Sequence, residues 1–399
     1  MASKAMPPQA KPSQNKPVLV YLVTEDWYFL SHRLPMACAA QRAGYDVHVA
    51  THVVDGGEAI KSYGFQLHPL NWRRGSANPR DLFQIIREIR ALYRRLRPDI
   101  VHHVGVQPAI IGALASIGMA TMRLHAIAGL GFAFTSRTPR GLLTGFALRL
   151  LMRTLLNRPG NVVLVQNPDD RAAVTALGIA ANRIHLIPGS GVDTDHLTPL
   201  PEPAGTVTVG YVGRFLDDKG VRSLVAAHKI LSGRNRAIRF VLAGEPDPAN
   251  PASIPQSEID SWNDATGLDV LGHVDDIREV WAMAHIAVLP SRREGLPKSL
   301  LEAAACGRPI VATDVPGCRE IARPGVNALL VPPDDAQALA DAIEHLATDG
   351  ALRRRFGEAS RQIVVAEFSV DRIGREIVAL YGELLSPGAK PLHSGQIGV

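Results

Sequence analysis

Short runs of β-branched and aliphatic residues alternate along the chain with longer segments in which apolar residues recur at helical spacing. The short runs are typical of buried strands and the longer segments of amphipathic helices. A strand followed by a helix, repeated many times, predicts parallel sheets that are covered by helices on both faces. In the first half we predict strands at 17–23, 46–50, 99–104, 123–127, 162–166 and 183–187, and helices at 34–43, 81–97, 108–119, 142–156 and 169–177.

A proline-rich segment interrupts this pattern near the middle of the chain. Pro188, Pro199, Pro201 and Pro203 lie within sixteen residues, and such a segment can neither continue a helix nor occupy a central strand. We therefore predict an interdomain linker at 191–205. The second half contains predicted strands at 206–212, 239–243, 270–271, 286–289 and 310–312, and predicted helices at 221–231, 298–305, 336–347, 352–367 and 370–385.

The sequence therefore predicts an α/β protein with two Rossmann-like, doubly wound domains, at 17–190 and 206–368. Two such domains in tandem place a cleft between the carboxyl ends of two parallel sheets, where ligands usually bind. Residues 1–16 are polar and rich in Pro, Lys and Gln, and we predict a disordered tail there and at 387–399. The longest small-apolar stretch, 109–122, is too short to span a bilayer.

The charge is divided unevenly between the halves. Residues 1–200 carry 22 Lys and Arg against 12 Asp and Glu, whereas residues 201–399 carry 21 against 26. Between 100 and 168 there is no acidic residue, and the predicted helix at 142–156 carries Arg149 and Arg153. Taken alone, this helix is equally consistent with packing on its own domain with a solvated arginine edge and with binding to an anionic membrane surface. The absence of acidic residues over the whole segment 100–168 favours membrane binding. No aromatic-basic platform indicates nucleic acid.

Three cysteines, Cys38, Cys306 and Cys318, are too few for a disulfide framework, and none has the spacing of a metal site. We expect them to be buried or idle thiols in a reducing cytoplasm.

The segment 291–302 is the strongest candidate for chemistry. A predicted strand ends before it, and Pro297 occupies a position that can open a helix, whose first backbone N–H groups can bind an anion. Glu294 precedes the helix, and Glu302 lies about one turn into it, where a carboxylate can accept two ribose hydroxyls. If only the two glutamates were considered, we would interpret them as ordinary surface residues. The Gly-Leu-Pro-Lys-Ser loop between them favours a binding site instead.

The segment 209–220 is the second candidate. A predicted strand ends at Gly213, where the backbone can approach a ligand closely, and two cations follow at Arg214 and Lys219. Together these cations could neutralise a diphosphate without a metal ion. A solvated turn would not need this arrangement, so we favour phosphate binding. The neighbouring Asp217 and Asp218 are expected to lie in a solvated turn.

These segments occur in a characteristic order: Gly-Arg…Lys-Gly at 213–220, Gly-His-Val-Asp at 272–275, and two glutamates with seven residues between them. Together they resemble the GT-B, family 4 glycosyltransferases, which retain the anomeric configuration. The resemblance covers about residues 17–385 and is most specific in the second half. Three segments of the first half are similar to a bacterial branch that builds polyprenyl-diphosphate-linked oligosaccharides for glycoproteins, O-antigens or capsules: 26–35, 98–103 and 129–131.

The resemblance implies a GT-B fold with an acceptor-binding first domain, a nucleotide-sugar-binding second domain and a helix at 369–386 that packs back toward the first. It implies that Arg214 and Lys219 hold the donor diphosphate, Glu302 the ribose and Glu294 a hydroxyl of the transferred sugar. Glu294, Arg214 and Lys219 are expected to carry catalysis without a metal ion or cofactor. Further donor contacts are expected from Gly213, Gly272, His273, Val274, Gly295, Leu296 and Pro297.

On the acceptor side, the resemblance implies contacts from Ser31 and His32, after the first strand, and from His103. Histidines such as His102 and His103 are, however, more often satisfied strand-end residues than catalysts. Many family members carry a histidine before the glycine that ends the fourth strand of the first domain. Here that position is Ala128, so no catalytic histidine is expected there.

The sequence therefore predicts a retaining, metal-independent glycosyltransferase that acts peripherally on the inner face of the cytoplasmic membrane. It would transfer a sugar from an NDP-sugar, for which we expect UDP, to a polyprenyl-diphosphate-linked saccharide in lipopolysaccharide or capsule synthesis. The alternatives are a GT-B-shaped sugar-nucleotide epimerase and a non-catalytic sugar-nucleotide-binding scaffold. Asp193 and Asp195 resemble a metal-binding pair, but their place after Pro188-Gly-Ser-Gly-Val predicts a turn or cap role.

Overall fold

The computed structural model describes residues 16–72, 78–127, 139–189, 191–248 and 250–386, without the side chains of 139–144 and 147. The disorder predicted at 1–16 and 387–399 lies outside these residues, except for residue 16. Ala128 and the segment 129–131 lie outside them as well, so the expectation of no catalytic histidine at that position stays a prediction.

The first half folds into a parallel sheet. Its strands among the described residues are β1 (Val18–Glu25), β2 (Asp46–His52), β3 (Gln66–Pro69), β4 (Ile100–Val104), β5 (Met122–Ala126), β6 (Asn161–Val165) and β7 (Ile184–Leu186). Their order is β3-β2-β1-β4-β5-β6-β7, so the chain winds outward from β1 in one direction and from β4 in the other. The carboxyl ends of all these strands therefore lie at one edge.

Helices cover both faces of this sheet. They are α1 (Asp26–His32), α2 (Leu34–Arg42), α3 (Gly57–Ser62), α4 (Pro79–Leu96), α5 (Val106–Ala115), α6 (Pro139–Leu156) and α7 (Pro168–Ala176). Alternate residues of β1 show the two layers: Leu19 and Tyr21 belong to the core that includes α2, whereas Val20 and Leu22 belong to the core that includes α4 and α5. This burial on both faces explains the continuous apolar runs of the sequence.

The second half repeats the plan. Its described strands are β8 (Thr208–Val212), β9 (Arg239–Ala243), β10 (Leu268–Gly272), β11 (Ile286–Leu289), β12 (Ile310–Thr313) and β13 (Ala328–Val331), in the order β10-β9-β8-β11-β12-β13. All pairs are parallel. The helices are α8 (Val221–Gly233), α9 (Gln256–Trp262), α10 (Ile277–Met283), α11 (Lys298–Ala305), α12 (Cys318–Ile321), α13 (Ala336–Thr348), α14 (Gly350–Glu367) and α15 (Val370–Leu385).

The last helix, α15, returns to the first half of the chain. Ile373 and Ile377 are buried in the same core as β1 and α2. The hydroxyl of Tyr381 lies 2.8 Å from the hydroxyl of Tyr21 and 2.7 Å from Nδ1 of His102. The two doubly wound domains and the returning helix confirm the predicted fold.

The segment between the two sheets is held against the second half. The backbone of Val192 exchanges hydrogen bonds with Phe368 and Val370, at 2.8 and 3.0 Å. The guanidinium of Arg361 donates to the carbonyls of Leu197 and Thr194, at 2.7 and 2.8 Å. These contacts fix the connection at 191–205 to α14 and to the start of α15.

Several short elements were not predicted: α1, α3, β3, α9, α10, α12 and β13. Each has four to seven residues, too few for a hydrophobic period to stand out. α1 also lacks a side-chain cap at Glu25. It is held instead by Asp26, whose carboxylate accepts hydrogen bonds from the backbone N–H groups of Val54 and Gly56, at 2.8 and 2.7 Å.

Candidate functional site

Glu294 is nearly buried in the loop between β11 and α11. Its Oε1 accepts a hydrogen bond from Ser291 Oγ at 2.7 Å and lies 2.6 Å from Nζ of Lys219. The two residues that the sequence singled out in different segments are therefore a direct ion pair. Because β8 and β11 are neighbours in the sheet, the loops that follow them meet at its carboxyl edge.

Lys219 ends a single 3₁₀ turn, Asp217–Lys219, that leads into α8. The next residue, Gly220, has a φ of 68°, and a Cβ there would lie 2.0 Å from the carbonyl oxygen of Pro290. Only glycine fits this close approach. The turn is also tied to the neighbouring loop by Asp218, which pairs with Arg293 at 2.9 Å. Asp217 and Asp218 lie in a solvated turn, as predicted, with side chains 42% and 41% exposed.

Arg214 follows Gly213 at the end of β8, and its side chain is about two-fifths exposed. Its Nη1 lies 2.7 Å from the carboxylate of Asp247, and its guanidinium carbon lies 5.7 Å from the centre of the Trp27 ring. Trp27 belongs to α1 of the first domain, so this contact crosses the cleft. The sequence predicted neither partner. The backbone of Gly213 packs against Gly244, where a Cβ would lie 2.0 Å from the Gly213 carbonyl oxygen.

Glu302 lies in the second turn of α11, with its side chain 12% exposed. Lys298, one turn earlier, places its Nζ 3.3 Å from the carboxylate. Burial raises the pKa of Glu302, and the charge of Lys298 opposes that rise. Burying a carboxylate is unfavourable because its charge loses hydration, and a buried carboxylate with one nearby cation is typical of a functional position. Pro297 immediately precedes the helix and makes no side-chain cap.

The loop at Gly295, Leu296 and Pro297 is held from the first domain as well. Asn167 begins α7 and is fully buried; its Nδ2 donates to the carbonyl oxygen of Gly295 at 2.7 Å. Leu296 packs against Gly189, where a Cβ would lie 2.5 Å from Leu296 Cδ2. The sequence analysis did not predict a role for Asn167 at this site. A sequence can show that Asn167 caps a helix, but it cannot show the bond to Gly295, which lies far away in the chain.

The segment Gly272, His273 and Val274 follows β10 at the same edge of the second sheet. Gly272 has a φ of 70°, and its carbonyl accepts a hydrogen bond from Gly244 N at 2.7 Å. Val274 is half-buried, whereas the side chain of His273 is exposed and lies 3.3 Å from Asp275. This segment is thus linked through Gly244 to Gly213. The predicted contact with a nucleobase stays a prediction.

His32 ends α1 and lies on the first-domain side of the cleft. Its ring stacks on Tyr28 with 4.3 Å between centroids, and its Nδ1 lies 2.5 Å from Ser31 Oγ. Burial lowers the pKa of His32 to about 3, and the positive charges of Arg33, Lys298 and Lys219 lower it further. These lysines of the second domain therefore act on His32 across the cleft. The acceptor role of Ser31 and His32 stays a prediction.

His103 does not occupy an acceptor position. Its side chain is fully buried, with Nε2 3.1 Å from the Tyr93 hydroxyl and Nδ1 3.1 Å from Nδ1 of His125. Burial holds the pKa of His103 well below its usual range. The acceptor prediction for His103 is therefore wrong, because successive strand residues face opposite layers and both layers are covered here. The expectation of a satisfied strand histidine is confirmed for His103. His102 is only partly satisfied, because its Nδ1 bonds to Tyr381 while its buried Nε2 has no hydrogen-bond partner among the described residues.

The remaining polar candidates have structural explanations. The Oδ1 of Asp193 accepts hydrogen bonds from the backbone N–H groups of Asp195 and His196, at 3.0 and 2.9 Å, which confirms the predicted turn.

Among the described residues no cluster of three or more His, Cys, Asp or Glu side chains could hold a metal ion. In the same part of the chain, no helix is both long and apolar enough to cross a membrane. The three cysteines are free thiols, and Cys306 and Cys318 are buried.

Each half of the chain matches a family model of glycosyltransferases. Residues 206–349 match the family described as "Glycosyl transferases group 1", and residues 19–167 match the one described as "Glycosyl transferase 4-like". The two matches together cover more than half of the chain, which therefore belongs to the glycosyltransferases.

Similar proteins of comparable length carry related names. The putative glycosyltransferase EpsD of Bacillus subtilis is 26% identical over 93% of this chain and 98% of its own. The capsular polysaccharide biosynthesis glycosyltransferase CapM of Staphylococcus aureus is 24% identical over 86% and 92%. A Campylobacter jejuni protein named N,N'-diacetylbacillosaminyl-diphospho-undecaprenol alpha-1,3-N-acetylgalactosaminyltransferase is 23% identical over 90% and 98%. These matches do not favour the epimerase alternative.

Solved structures show the same architecture. Sucrose-phosphate synthase from Thermosynechococcus elongatus superposes with a TM-score of 0.78 and 22% identity, over 92% of this chain and 99% of that one. HepE from Anabaena, solved in complex with UDP-glucose, gives a TM-score of 0.74 and 18% identity, over 92% and 99%. The fold is therefore GT-B, as the sequence predicted.

Proposed function

We propose that this glycosyltransferase moves a sugar from a UDP-sugar to a polyprenyl-diphosphate-linked saccharide, with retention of the anomeric configuration, in surface polysaccharide synthesis. The observation that carries the proposal is the pair of Lys219 and Glu294, 2.6 Å apart, with Arg214 and Glu302 on the adjoining elements. The UDP-glucose complex of HepE supports the donor, and the diphospho-undecaprenol in the name of the Campylobacter relative supports the acceptor.

In this proposal the cations hold the donor diphosphate while they keep their present partners. The Lys219 ammonium has three N–H groups, so it can donate to Glu294 and to a phosphate oxygen at once. The Arg214 guanidinium has five, of which one is engaged with Asp247. The carboxylates therefore orient the cations before the donor arrives. The first backbone N–H groups of α11, after Pro297, add further donors toward an anion.

The two glutamates take different parts of the donor. Glu302 lies on a helix, is nearly buried and has Lys298 beside it, which suits a carboxylate that accepts both ribose hydroxyls. Glu294 is fixed by Ser291 and Lys219 at the end of β11, which suits a carboxylate that accepts one hydroxyl of the transferred sugar. Gly295 to Pro297 pass between them, beside the sugar and phosphates.

The difficult step is the loss of the nucleoside diphosphate from the anomeric carbon. The bond between that carbon and the phosphate oxygen breaks, while the acceptor hydroxyl oxygen bonds to the carbon on the same face. The acceptor's proton passes to the leaving phosphate oxygen. Arg214 and Lys219 stabilise the charge that develops on that oxygen, and losing one such group costs about 10²–10³ in rate. This front-face route needs no protein nucleophile.

A lipid-linked acceptor lies in the membrane, so the enzyme needs a surface that binds the membrane, and one exposed face of α6 has the properties for this. Phe146, Arg149, Leu150 and Arg153 are exposed and are spaced as positions i, i+3, i+4 and i+7 of one helix face. Met152, Leu155 and Leu156 of the same helix are buried. The helix therefore packs on its own domain and still presents an apolar and basic face. We propose that this face binds the anionic inner surface of the cytoplasmic membrane.

A transfer assay tests the proposed function. The protein is incubated with a panel of UDP-sugars and a bacterial lipid extract, and products are read by mass spectrometry. We expect one UDP-sugar to add a single sugar mass to a polyprenyl-diphosphate-linked saccharide, and EDTA to leave the yield unchanged. UDP binding without transfer to any lipid would instead favour the scaffold alternative.

A further inference from the structure

The second domain contains a cavity at the edge of its sheet that lies opposite the candidate donor site. The cavity has a volume of about 370 Å³, which is within the range for small-molecule sites, about 300–1,000 Å³. His285 directly precedes β11 and Pro309 directly precedes β12, so the cavity lies at the amino ends of these strands. Glu294 follows β11, at the carboxyl edge. A ligand in this cavity would therefore not occupy the candidate donor site.

Three parts of the chain form the walls of the cavity. They are one face of α14, the turn before β12 with Gly307 and Pro309, and the connecting segment at 191–205 with Pro199. The helix approaches the turn closely, because a Cβ at Gly357 would lie 2.3 Å from the carbonyl oxygen of Gly307. The cavity is therefore a concave site between α14 and the segment that joins the two domains.

The lining of the cavity carries a positive charge. Its charged residues are four arginines and two glutamates, a net charge of +2: Arg308, Arg353, Arg354, Arg361, Glu202 and Glu358. Burial lowers the pKa of His285, which also lines the cavity, so its ring is uncharged at neutral pH. Arg353 pairs with Glu202. Three arginines of the lining therefore remain against Glu358 alone.

Two of these arginines hold the connecting segment by binding neutral acceptors. Arg308 is only 2% exposed, and its guanidinium donates to the carbonyls of Trp281 and Pro201, both at 2.9 Å. Arg361 donates to three backbone carbonyls. Burial lowers the pKa of Arg308, because a buried guanidinium loses hydration. An anion in the cavity would compensate this charge better than carbonyl oxygens do.

The arginines indicate one class of ligand. A guanidinium presents its N–H groups in a planar fork that matches the oxygens of a carboxylate or a phosphate. Two of the five N–H groups of Arg308 are engaged with carbonyls, which leaves others for such oxygens. Pro199, Leu200 and Pro309 add apolar surface to the lining, which suits a ligand with a small carbon skeleton.

We propose that this cavity is a second ligand site, which binds a small organic anion that carries a phosphate or carboxylate group. The bound anion would contact both α14 and the segment that joins the domains. The proposal goes beyond the function proposed above and does not depend on it.

Saturation-transfer NMR on the full chain, in a phosphate-free buffer, tests the proposal. The probes are glycerol 3-phosphate, citrate and glycerol, which is the uncharged match for the first. Arg354→Glu reverses an exposed charge of the lining, and Glu358→Gln removes the exposed charge of opposite sign. The matched control is Arg355→Glu, which makes the same reversal at the next residue of α14, exposed and outside the lining.

We expect at least one of the two anions to bind the parent protein, and glycerol not to bind. The Kd of that anion should rise about fivefold or more in Arg354→Glu and fall about twofold in Glu358→Gln, because the two changes alter the charge of the lining in opposite directions. In Arg355→Glu the Kd should change by less than about twofold, because that side chain does not line the cavity.

Several results would overturn the proposal. The first three are no binding of either anion, binding of glycerol as tight as that of glycerol 3-phosphate, and equal weakening in Arg354→Glu and Arg355→Glu. Anion binding that Lys219→Ala abolishes and Arg354→Glu leaves intact would place the anions in the candidate donor site. Lipid phosphates have the same chemistry, so flotation with phosphatidylglycerol vesicles is measured as well. Flotation that Arg354→Glu reduces, without binding of either soluble anion, would assign the cavity to lipid instead.

Discussion

The guanidinium carbon of Arg214 lies 5.7 Å from the centre of the Trp27 ring, and the two residues belong to different domains. Trp27 is held by the helix that Asp26 anchors, while Arg214 is held by Asp247. One of the two cations expected to bind the donor diphosphate therefore rests on the opposite wall of the cleft. This contact therefore links the first domain directly to a residue of the candidate donor site.

Replacing Trp27 by alanine should weaken UDP binding about twofold to fivefold. The reason is that a cation–π contact at an exposed site is worth about 0.5–1 kcal/mol, and its loss leaves Arg214 less ordered. Trp27→Phe should restore part of the affinity. Isothermal titration calorimetry measures the effect, with Tyr63→Ala as a control at another exposed aromatic of the same domain. Equal affinities for parent and Trp27→Ala proteins would show that the contact does not position Arg214.

Asn167 should matter for the donor through its bond to Gly295. Asn167→Asp keeps the oxygen that caps α7 but replaces the N–H group that donates to the Gly295 carbonyl and to the Asp170 carboxylate. We expect the KM for the UDP-sugar to rise about tenfold, because a carboxylate then faces a carbonyl oxygen.

The control for the change in capping is Asn78→Asp, because Asn78 caps α4 by accepting from the backbone N–H of Arg80, away from the loop. A KM that changes equally in both variants would attribute the effect to capping, and the cross-domain bond would have no role in donor binding.

The buried carboxylate of Glu302 should reduce stability at neutral pH. Burial raises the pKa of Glu302, so the folded state disfavours the ionised form relative to the unfolded state. Glu302→Gln should therefore raise Tm at pH 7 by about 1–3 °C. The gain should disappear below pH of about 4, where the carboxyl is protonated in both states. Differential scanning calorimetry at the two pH values measures the change in Tm, with Glu279→Gln as the exposed control. A gain in Tm that persists at low pH would show that the buried charge of Glu302 is not its cause.

The exposed face of α6 should bind anionic membranes. Arg149→Glu/Arg153→Glu reverses two charges on that face, and we expect flotation with vesicles that contain about one-third anionic lipid to fall severalfold. Arg354→Glu/Arg355→Glu makes the same charge change on an exposed part of α14 and should leave flotation unchanged. Equal flotation of both variants and the parent would show that the exposed face of α6 does not bind membranes.

The sequence predicted the parts of the candidate site that lie in continuous segments. Glu294, Arg214 and Lys219 each lie between a strand and a helix, and Glu302 lies in the second turn of one, so local pattern was sufficient to propose them. The 2.6 Å pair of Lys219 and Glu294 depends on the adjacency of β8 and β11, which the order of the segments indicated only through the resemblance.

The residues that the sequence missed are partners from elsewhere in the fold. Trp27 and Asn167 come from the other domain, and Asp247 follows a different strand; none lies in a periodic or glycine-rich pattern. His103 was assigned wrongly for a related reason. Adjacent strand residues face opposite layers, and only the packing of α4 and α5 shows that its layer is closed.

The central claim is that Lys219 and Glu302 hold the nucleoside diphosphate, and UDP calorimetry tests it most directly. Lys219→Ala and Glu302→Ala should each weaken UDP binding by about tenfold or more, since hydrogen bonds to charged groups contribute about 1.5–3 kcal/mol. Lys229→Ala and Glu279→Ala, at exposed positions of α8 and α10, serve as controls and should bind UDP as the parent does. Unchanged UDP affinity in both site variants would contradict the donor site.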